Sequence, residues 1–174
     1  LQALRALYPV KQVFVADVSE RRLSVAKDMG ADLVIDATRE DVVEKMLELT
    51  GSEPVLYSTK PTAHVDLVIE SAGATVTPQQ ALEVVTPNTG RVVIVSLYEE
   101  RPEIDLNDLV TKNHSLHGVF AYGLEDFLES IELLATGKVD RKPLITHRFP
   151  LDQAGEAFEI QSKTTDCFKV VINP

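Results

Sequence analysis

Short apolar runs alternate with amphipathic segments along most of the chain. The runs at 12–17, 33–36, 65–70 and 91–97 are rich in β-branched residues, and a further strand is predicted at 115–122. Continuous runs of this kind are typical of strands buried on both faces of a parallel sheet. Helical spacing of apolar residues predicts helices over 19–29, 38–49, 77–85, 106–111 and 125–135. The alternation predicts an α/β fold, a doubly wound parallel sheet with helices on both faces.

The segments outside this alternation are less regular. Residues 1–7 read as the remnant of a helix, and residues 52–64 lack periodicity and predict a surface loop. Residues 143–150 are extended, a helix is expected from Asp152 to about 161, and a last strand at 168–172. Thr77, Pro78 and Gln80 have the order of an N-cap, a first-turn proline and a capping-box glutamine.

Composition narrows the class of protein. The 174 residues are 44% hydrophobic and 25% charged, as in a folded globular chain of about one domain. The formal charge of −10 argues against nucleic acid or an anionic membrane as a partner. No apolar run approaches the ~20 residues that cross a bilayer. A single cysteine, Cys167, predicts neither a disulfide framework nor a cysteine-rich zinc site, and a leucine at position 1 fits a fragment or a processed chain.

The carboxyl ends of the predicted strands are where ligands bind in doubly wound sheets. Asp17 ends the first strand, where a carboxylate can accept both hydroxyls of an adenosine ribose, and Arg22 follows in the next helix. Taken alone, Asp17 is equally well a turn aspartate that caps this helix, and Arg22 is better read as a solvated side chain.

Three more strand ends carry candidate residues. Ser71, Ala72 and Gly73 follow the strand at 65–70, and their small size lets a ligand approach the backbone, although a plain tight turn needs the same residues. Val95, Ser96 and Leu97 end the next strand, and Phe120 and Ala121 end the one after it. Without further context, both of these segments are read equally as sheet core.

The glycine fingerprint of a dinucleotide site does not occur in this sequence. Its eight glycines form no G-x-G-x-x-G motif, which stands about 20 residues before the ribose acid and is therefore expected before residue 1. The sequence also has no G-x-S-x-G elbow and no P-loop, and its four histidines are scattered. We therefore identify no catalytic and no metal-binding residue.

Several segments, in order, resemble medium-chain zinc-dependent dehydrogenases. They are residues 13–17 with Arg22, 26–32, 68–74, 90–93, 118–122 and 143–151. The sequence Pro-Leu-Ile-Thr-His-Arg-Phe-Pro-Leu at 143–151 is similar to the polyol, butanediol and threonine dehydrogenase branch. The chain departs from the family at Ser96, where glycine is usual, at Ala121, where arginine is frequent, at Asn88–Thr89, and in its longer segment 52–64.

The resemblance implies a function and a division of the chain. It implies that residues 1–122 form an NAD-binding Rossmann domain without its first strand and glycine loop. Residues 123–174 would then be a returning segment that completes a catalytic domain. The cofactor contacts implied are Asp17 and Arg22 at the ribose, Ser71, Ala72 and Gly73, the backbone of Val95, Ser96 and Leu97, and Phe120 and Ala121 near the nicotinamide.

The activity implied is oxidation of a secondary alcohol or polyol with NAD, with zinc held only by a catalytic domain outside this chain. The family pattern also implies a cytoplasmic enzyme and a homodimer or tetramer joined through the edge strand at 115–122. Two alternatives remain. One is a non-catalytic α/β module for nucleotide sensing or subunit contact, and the other is a zinc-independent relative similar to quinone reductases.

Overall fold

A computed structural model describes residues 1–58, 60–163 and 167–174. The described chain divides into two compact units, one formed by Leu1–Arg39 with Tyr122–Pro174 and the other by Glu40–Ala121. We call them the outer unit and the central unit, after their places in the sequence. None of the described helices has the length and apolar character needed to cross a bilayer.

The secondary structure alternates as the sequence predicts. The helices are α1 (Gln2–Leu7), α2 (Glu20–Asp28), α3 (Val42–Thr50), α4 (Thr77–Val84), α5 (Leu106–Thr111), α6 (Leu124–Ala135) and α7 (Ala154–Lys163). The strands are β1 (Phe14–Asp17), β2 (Leu33–Asp36), β3 (Ser52–Glu53), β4 (Thr62–Ala63), β5 (Leu67–Glu70), β6 (Arg91–Ile94), β7 (Ser115–Gly118), β8 (Ile145–Pro150) and β9 (Lys169–Asn173). Two 3₁₀ turns, Lys142–Leu144 and Leu151–Gln153, flank β8.

The outer unit begins with a β-α-β motif. β1 and β2 are parallel, with Asp17 and Asp36 opposite each other in the last register position. α2 packs against both strands, and Leu23 and Ile35 are buried there. The Ser19 hydroxyl caps α2 as predicted, accepting a hydrogen bond from the Arg22 N–H at 3.3 Å.

The C-terminal part of the outer unit contains a second two-stranded sheet with one helix packed on it. β8 and β9 are parallel, and α7 packs on both strands. The segment after α6 is held to α1 by two hydrogen bonds between Gln2 and the Asp140 backbone, at 2.9 and 2.7 Å. Cys167 is a buried free thiol.

The central unit contains a three-stranded parallel sheet in the order β5-β6-β7. Helix α4 packs on β5 and β6, and the buried core is formed by Ala81, Leu82, Val85 and Val92. Alternate side chains of β5 lie on the opposite face, where Leu67 and Ile69 are 40% and 47% exposed. The prediction of burial on both faces is therefore wrong for this strand.

The α/β class and the parallel pairing are confirmed, but the described strands do not join into one sheet. Parallel strands form the groups β1-β2, β5-β6-β7 and β8-β9.

The prediction of a surface loop at 52–64 is wrong only at the two ends of the segment, where Ser52–Glu53 and Thr62–Ala63 form short strands. β3 and β4 pair antiparallel, and Thr62 and Ala63 are fully buried. The Thr62 hydroxyl lies 3.0 Å from the Glu83 carbonyl and 2.9 Å from the Val85 carbonyl at the end of α4. Lys60 reaches the Glu83 carboxylate at 2.6 Å. The segment is therefore a short hairpin attached to α4, with Thr59 outside the described residues.

Candidate functional site

The carboxylate of Asp17 ends β1 with one oxygen engaged and the other open. Oδ1 accepts a hydrogen bond from the Ser19 N–H at 2.9 Å. The Arg22 Nη1 lies 3.8 Å from Oδ2, beyond hydrogen-bond distance, and the side chains of Asp17 and Arg22 are 27% and 47% exposed, respectively. Oδ2 thus keeps the accepting capacity that a ribose hydroxyl needs, and Arg22 lies beside it as the sequence predicts.

Asp36 ends the neighbouring strand β2, in a position similar to that of Asp17. Both of its carboxylate oxygens have partners within the protein. Its Oδ1 accepts from the Thr38 hydroxyl at 2.6 Å and from the Thr38 N–H at 2.9 Å, and Arg39 Nε lies 3.2 Å from Oδ2. The bond from the Thr38 hydroxyl, followed by that from the Thr38 N–H, lowers the pKa of Asp36. Asp36 is therefore engaged locally, whereas Asp17 Oδ2 accepts no hydrogen bond from the residues that the structure describes.

The turn at residues 71–73, which we call the β5 turn, follows β5 in the central unit. Gly73 adopts a left-handed φ of +70°. The N–H groups of Ala72 and Gly73 donate to Glu70 Oε1 at 2.9 and 3.0 Å. These amides therefore point to a carboxylate of the protein, which leaves the exposed Ser71 and Ala72 side chains and the turn carbonyls for a ligand.

Residues 95–97, which we call the β6 exit segment, lie against the β5 turn. A side-chain carbon at Gly73 would be 2.8 Å from the Leu97 carbonyl oxygen. The Val95 N–H donates to the Glu70 carbonyl at 2.9 Å, and Val95 and Leu97 are 44% and 79% exposed. The structure thus brings together two of the segments predicted as cofactor contacts.

Glu70 connects these two segments and was missed by the sequence analysis. Glu70 is 4% exposed, and its carboxylate also accepts hydrogen bonds from the Thr77, Ser96 and Tyr98 hydroxyls. Burial raises the pKa of this carboxyl, but the hydrogen bonds from Ser96, Tyr98, Thr77 and the Gly73 N–H outweigh burial and lower it to about 2. Thr77 is therefore a donor to Glu70 and not the N-cap of α4, which is Val76.

Phe120 and Ala121 follow β7, and both residues are exposed. The Phe120 side chain is 84% exposed, and Ala121 has a left-handed φ of +58°. The Val119 N–H donates to the Ile94 carbonyl at 2.9 Å, which extends the pairing of β7 with β6 by one bond. The predicted strand 115–122 is too long, because β7 ends at Gly118, and Phe120 and Ala121 therefore lie beyond the strand end, with Phe120 on an open surface.

We find no metal site in the described ranges 1–58, 60–163 and 167–174, where no three His, Cys, Asp or Glu side chains form a group that could hold an ion. Both ring nitrogens of His114 are buried, and none of the described residues lies in hydrogen-bonding geometry with them. Burial lowers the pKa of this histidine, with Lys112 adding to the effect. His114 therefore behaves as a neutral packed side chain.

Comparison with known proteins identifies the family. The family model for zinc-binding dehydrogenases matches residues 1–136. Sorbitol dehydrogenase of Ovis aries is 35% identical over 155 residues, which are 87% of this chain and 40% of the relative. The chain spans about two fifths of the length of the curated relatives that it matches.

Solved structures agree with this comparison. An alcohol dehydrogenase from Escherichia coli CFT073 complexed with NADH matches with a TM-score of 0.80 and 26% identity, over 97% of this chain and 46% of that one. A zinc-binding dehydrogenase from Sinorhizobium meliloti bound to NADP matches with a TM-score of 0.80 and 25% identity, over 99% of this chain and 48% of that one. By its sequence and its Rossmann-like α/β fold, this chain belongs to the zinc-binding dehydrogenase family.

Proposed function

We propose that this chain is the coenzyme-binding part of an NAD-dependent oxidoreductase that oxidises a secondary alcohol or a polyol. The observation that carries the proposal is the Asp17 carboxylate, which ends β1 with Oδ2 unengaged and Arg22 beside it. A carboxylate in this position of a doubly wound fold accepts hydrogen bonds from the adenosine ribose. The likeness to sorbitol dehydrogenase supports the substrate class.

The proposed contacts follow the strand ends. Asp17 and Arg22 hold the ribose, the β5 turn and the β6 exit segment bind through exposed backbone and the Ser71 side chain, and Phe120 and Ala121 lie near the nicotinamide. When bound, NAD supplies the acceptor for a hydride from the alcohol carbon. The residues of this chain bind and orient the cofactor and carry out no proton transfer.

The remaining parts of the enzyme belong to the same proposal. Residues 1–122 are its nucleotide-binding domain and residues 123–174 contribute to its catalytic domain. Zinc, where the enzyme uses it, is held by residues outside this chain. The enzyme is a cytoplasmic homodimer or tetramer, joined through the edge formed by residues 115–122.

Cofactor preference tests the proposal in the full-length enzyme. The 2′-phosphate of NADP would face Asp17 as a like charge, which at ~4 Å and an effective dielectric of ~20 costs up to about 4 kcal/mol before screening. We expect the enzyme to prefer NAD over NADP. The positive charges of Arg21 and Arg22 offset part of the repulsion between Asp17 and the 2′-phosphate, so they reduce this preference. Asp17→Asn should raise the KM for NAD and narrow the NAD/NADP ratio of kcat/KM by about tenfold.

Asp36→Asn is the matched control, because Asp36 also ends a strand beside an arginine and accepts an N–H two residues on. This variant should leave the ratio unchanged. Equal efficiency with both cofactors in the unsubstituted enzyme, or equal effects of the two variants, would contradict the proposed role of Asp17. Absence of NADH binding would contradict the proposed function and favour a non-catalytic module.

A further inference from the structure

The two oxygens of the Glu70 carboxylate serve two different segments of the central unit. Oε1 accepts from the Ala72 and Gly73 N–H groups and, at 2.7 Å, from the Thr77 hydroxyl, so it fixes the β5 turn to the start of α4. Oε2 accepts from the hydroxyls of Ser96 and Tyr98, which belong to the β6 exit segment and the residue after it. One buried side chain therefore joins the exits of two neighbouring strands.

The two segments are also in close backbone contact. The position of a Cβ on Gly73 lies 2.8 Å from the Leu97 carbonyl and 3.6 Å from the Ser96 Cβ, so the turn admits no side chain on that side. A shift of either segment would therefore break contacts and hydrogen bonds of the other. The Glu70 carboxylate accepts hydrogen bonds from both segments, so their spacing depends on this side chain.

The bonding of Glu70 excludes a part in proton transfer. Five groups donate to a carboxylate that has about four lone-pair sites. With a pKa of about 2, the side chain is anionic at neutral pH and has no accepting capacity left for a substrate or a metal. Its role is to hold the donors around it.

We propose that Ser96 and Tyr98 are positioning residues that, through Glu70, set the spacing of the β5 turn and the β6 exit segment for the cofactor. The proposal rests on the proposed function of these two segments. The Ser96 hydroxyl donates to Glu70 and is therefore engaged within the protein. Ser96 therefore contributes its backbone, and not its hydroxyl, to cofactor binding.

Ser96→Ala and Tyr98→Phe test the proposal, since each removes one donor and leaves the carbon skeleton nearly unchanged. In the full-length enzyme, NADH fluorescence titration should give a Kd raised about three- to tenfold by each variant, as expected for loss of one hydrogen bond. The KM for NAD should rise by a similar factor while kcat changes by less than about twofold. Tyr57→Phe is the control, because Tyr57 is 90% exposed, and it should match the unsubstituted enzyme.

A merely structural role would give another pattern. Loss of folded protein lowers the apparent kcat and the Tm but leaves the Kd for NADH and the KM of the folded fraction unchanged, and that result would overturn the proposal. If Ser96→Ala fails to fold, Tyr98→Phe alone tests the proposal. Amide hydrogen exchange at Ala72 and Gly73 is then measured in Tyr98→Phe and in the unsubstituted enzyme. Faster exchange at these two amides is expected, and unchanged exchange with unchanged NADH affinity would overturn the proposal.

The variants distinguish failure of the positioning role from failure of the proposed function. If Asp17→Asn weakens NAD binding and the Ser96 and Tyr98 variants do not, the positioning role fails and the proposed function stands. If the unsubstituted enzyme does not bind NADH, both fail.

Discussion

At the residue scale, two independent features of the structure favour glycine at position 73. Its φ of +70° lies in the left-handed region, and a Cβ would lie 2.8 Å from the Leu97 carbonyl oxygen. The conformation alone disfavours a side chain by about 1–2 kcal/mol. The contact adds to this cost, because the Leu97 oxygen belongs to the backbone and cannot move without the β6 exit segment.

Gly73→Ala should therefore lower the free energy of unfolding by about 2–4 kcal/mol, as the sum of the conformational cost and the overlap. Gly137→Ala provides the matched control, because Gly137 has a φ of +72° but nothing within 4 Å of its Cβ position. Its cost should be about 1–2 kcal/mol. Urea unfolding of both variants checks this, and equal losses would show that the contact with Leu97 has no energetic effect.

Glu70 predicts a specific dependence of stability on pH. Its pKa falls from an ordinary value of 4.5 to about 2 on folding, so the anion favours the folded state. The stabilisation is complete above about pH 5, where the unfolded group is ionised too, and it is lost as pH falls from about 4.5 to 2. A shift of this size corresponds to about 3 kcal/mol.

Urea unfolding of the unsubstituted chain and of Glu70→Gln between pH 3 and 7 measures this effect. The stability difference between the two proteins should be constant from pH 7 to pH 5 and should shrink below pH 4.5. Both proteins share all other carboxylates, so these groups cancel in the difference. A gap independent of pH over the whole range would rule out a strongly lowered pKa at Glu70.

The sequence identified Asp17 and missed Glu70 for a physical reason. Asp17 ends its own strand, and its role depends on that position and on nearby residues. Glu70 also ends a strand, but its role depends on Ser96 and Tyr98, which follow another strand, β6, and lie 26 and 28 residues away in sequence. The available signal was a carboxylate in an otherwise apolar run, a position where burial requires hydrogen-bonding partners.

At the element scale, the β3–β4 hairpin is attached to α4 by the Thr62 hydroxyl. The hydroxyl is fully buried and lies within 3.0 Å of the Glu83 and Val85 carbonyls, both at the end of the helix. The last carbonyls of a helix have no partner within it, and an unsatisfied buried carbonyl is costly. Thr62 therefore supplies the C-terminal end of α4 with a hydrogen bond.

Thr62→Val keeps the shape of the side chain and removes the donor. We expect a loss of about 1–3 kcal/mol in the free energy of unfolding, because at least one carbonyl stays buried without a partner. Thr111→Val is the control, since the Thr111 hydroxyl bonds the Asn107 carbonyl at an exposed position. Chemical denaturation compares the two, and a loss at Thr62 no larger than that at Thr111 would contradict the attachment.

Element types were predictable and element ends were less so. The β-branched runs located β1, β2, β5, β6 and β7, but β6 ends at Ile94 and β7 at Gly118, earlier than the apolar runs do. Val95 and Leu97 are still apolar although they lie beyond the strand, so hydropathy alone does not mark the end. Helix α3 begins at Val42 and not at 38, because Asp41 caps it by accepting from the Glu44 N–H at 2.9 Å while Thr38 bonds Asp36.

The association of whole molecules is proposed to use the edge strand β7. Within the described part of the central unit, β7 stands last in the order β5-β6-β7, and Val119 and Phe120 beyond it are 51% and 84% exposed. An edge strand with unpaired N–H and C=O groups can pair with the same strand of a second copy. The cofactor contacts at Phe120 and Ala121 would then lie next to the interface.

Val119→Glu places like charges opposite each other at such an interface. We expect light scattering coupled to size-exclusion chromatography to show a dimer or tetramer for the unsubstituted chain and a monomer for this variant. Leu106→Glu is the control, because Leu106 is 63% exposed on α5, and it should keep the assembly. A monomeric unsubstituted chain, or an assembly unaffected by Val119→Glu, would contradict pairing through β7.

Catalysis by these 174 residues alone tests where the chemistry of the enzyme lies. The pyrophosphate of a dinucleotide is held by the amides of a glycine loop at a helix N-terminus, and the eight glycines here form no G-x-G-x-x-G motif. The described residues offer no group of three metal-binding side chains. Asp17, Arg22 and the strand-end backbones can still contact the cofactor, but without a site for the pyrophosphate these contacts leave most of it unanchored.

We therefore expect the isolated chain to bind NAD with a Kd of about 1 mM, or about 4 kcal/mol, and to oxidise no alcohol. The measurement is NADH absorbance at 340 nm, with secondary alcohols and polyols as substrates, with and without zinc, on the chain beside the full-length enzyme. The full-length enzyme is the positive control for substrate and cofactor. Turnover by the chain at a rate comparable to the full-length enzyme would mean that the catalytic groups lie within residues 1–174, because no other residues would be present to supply them.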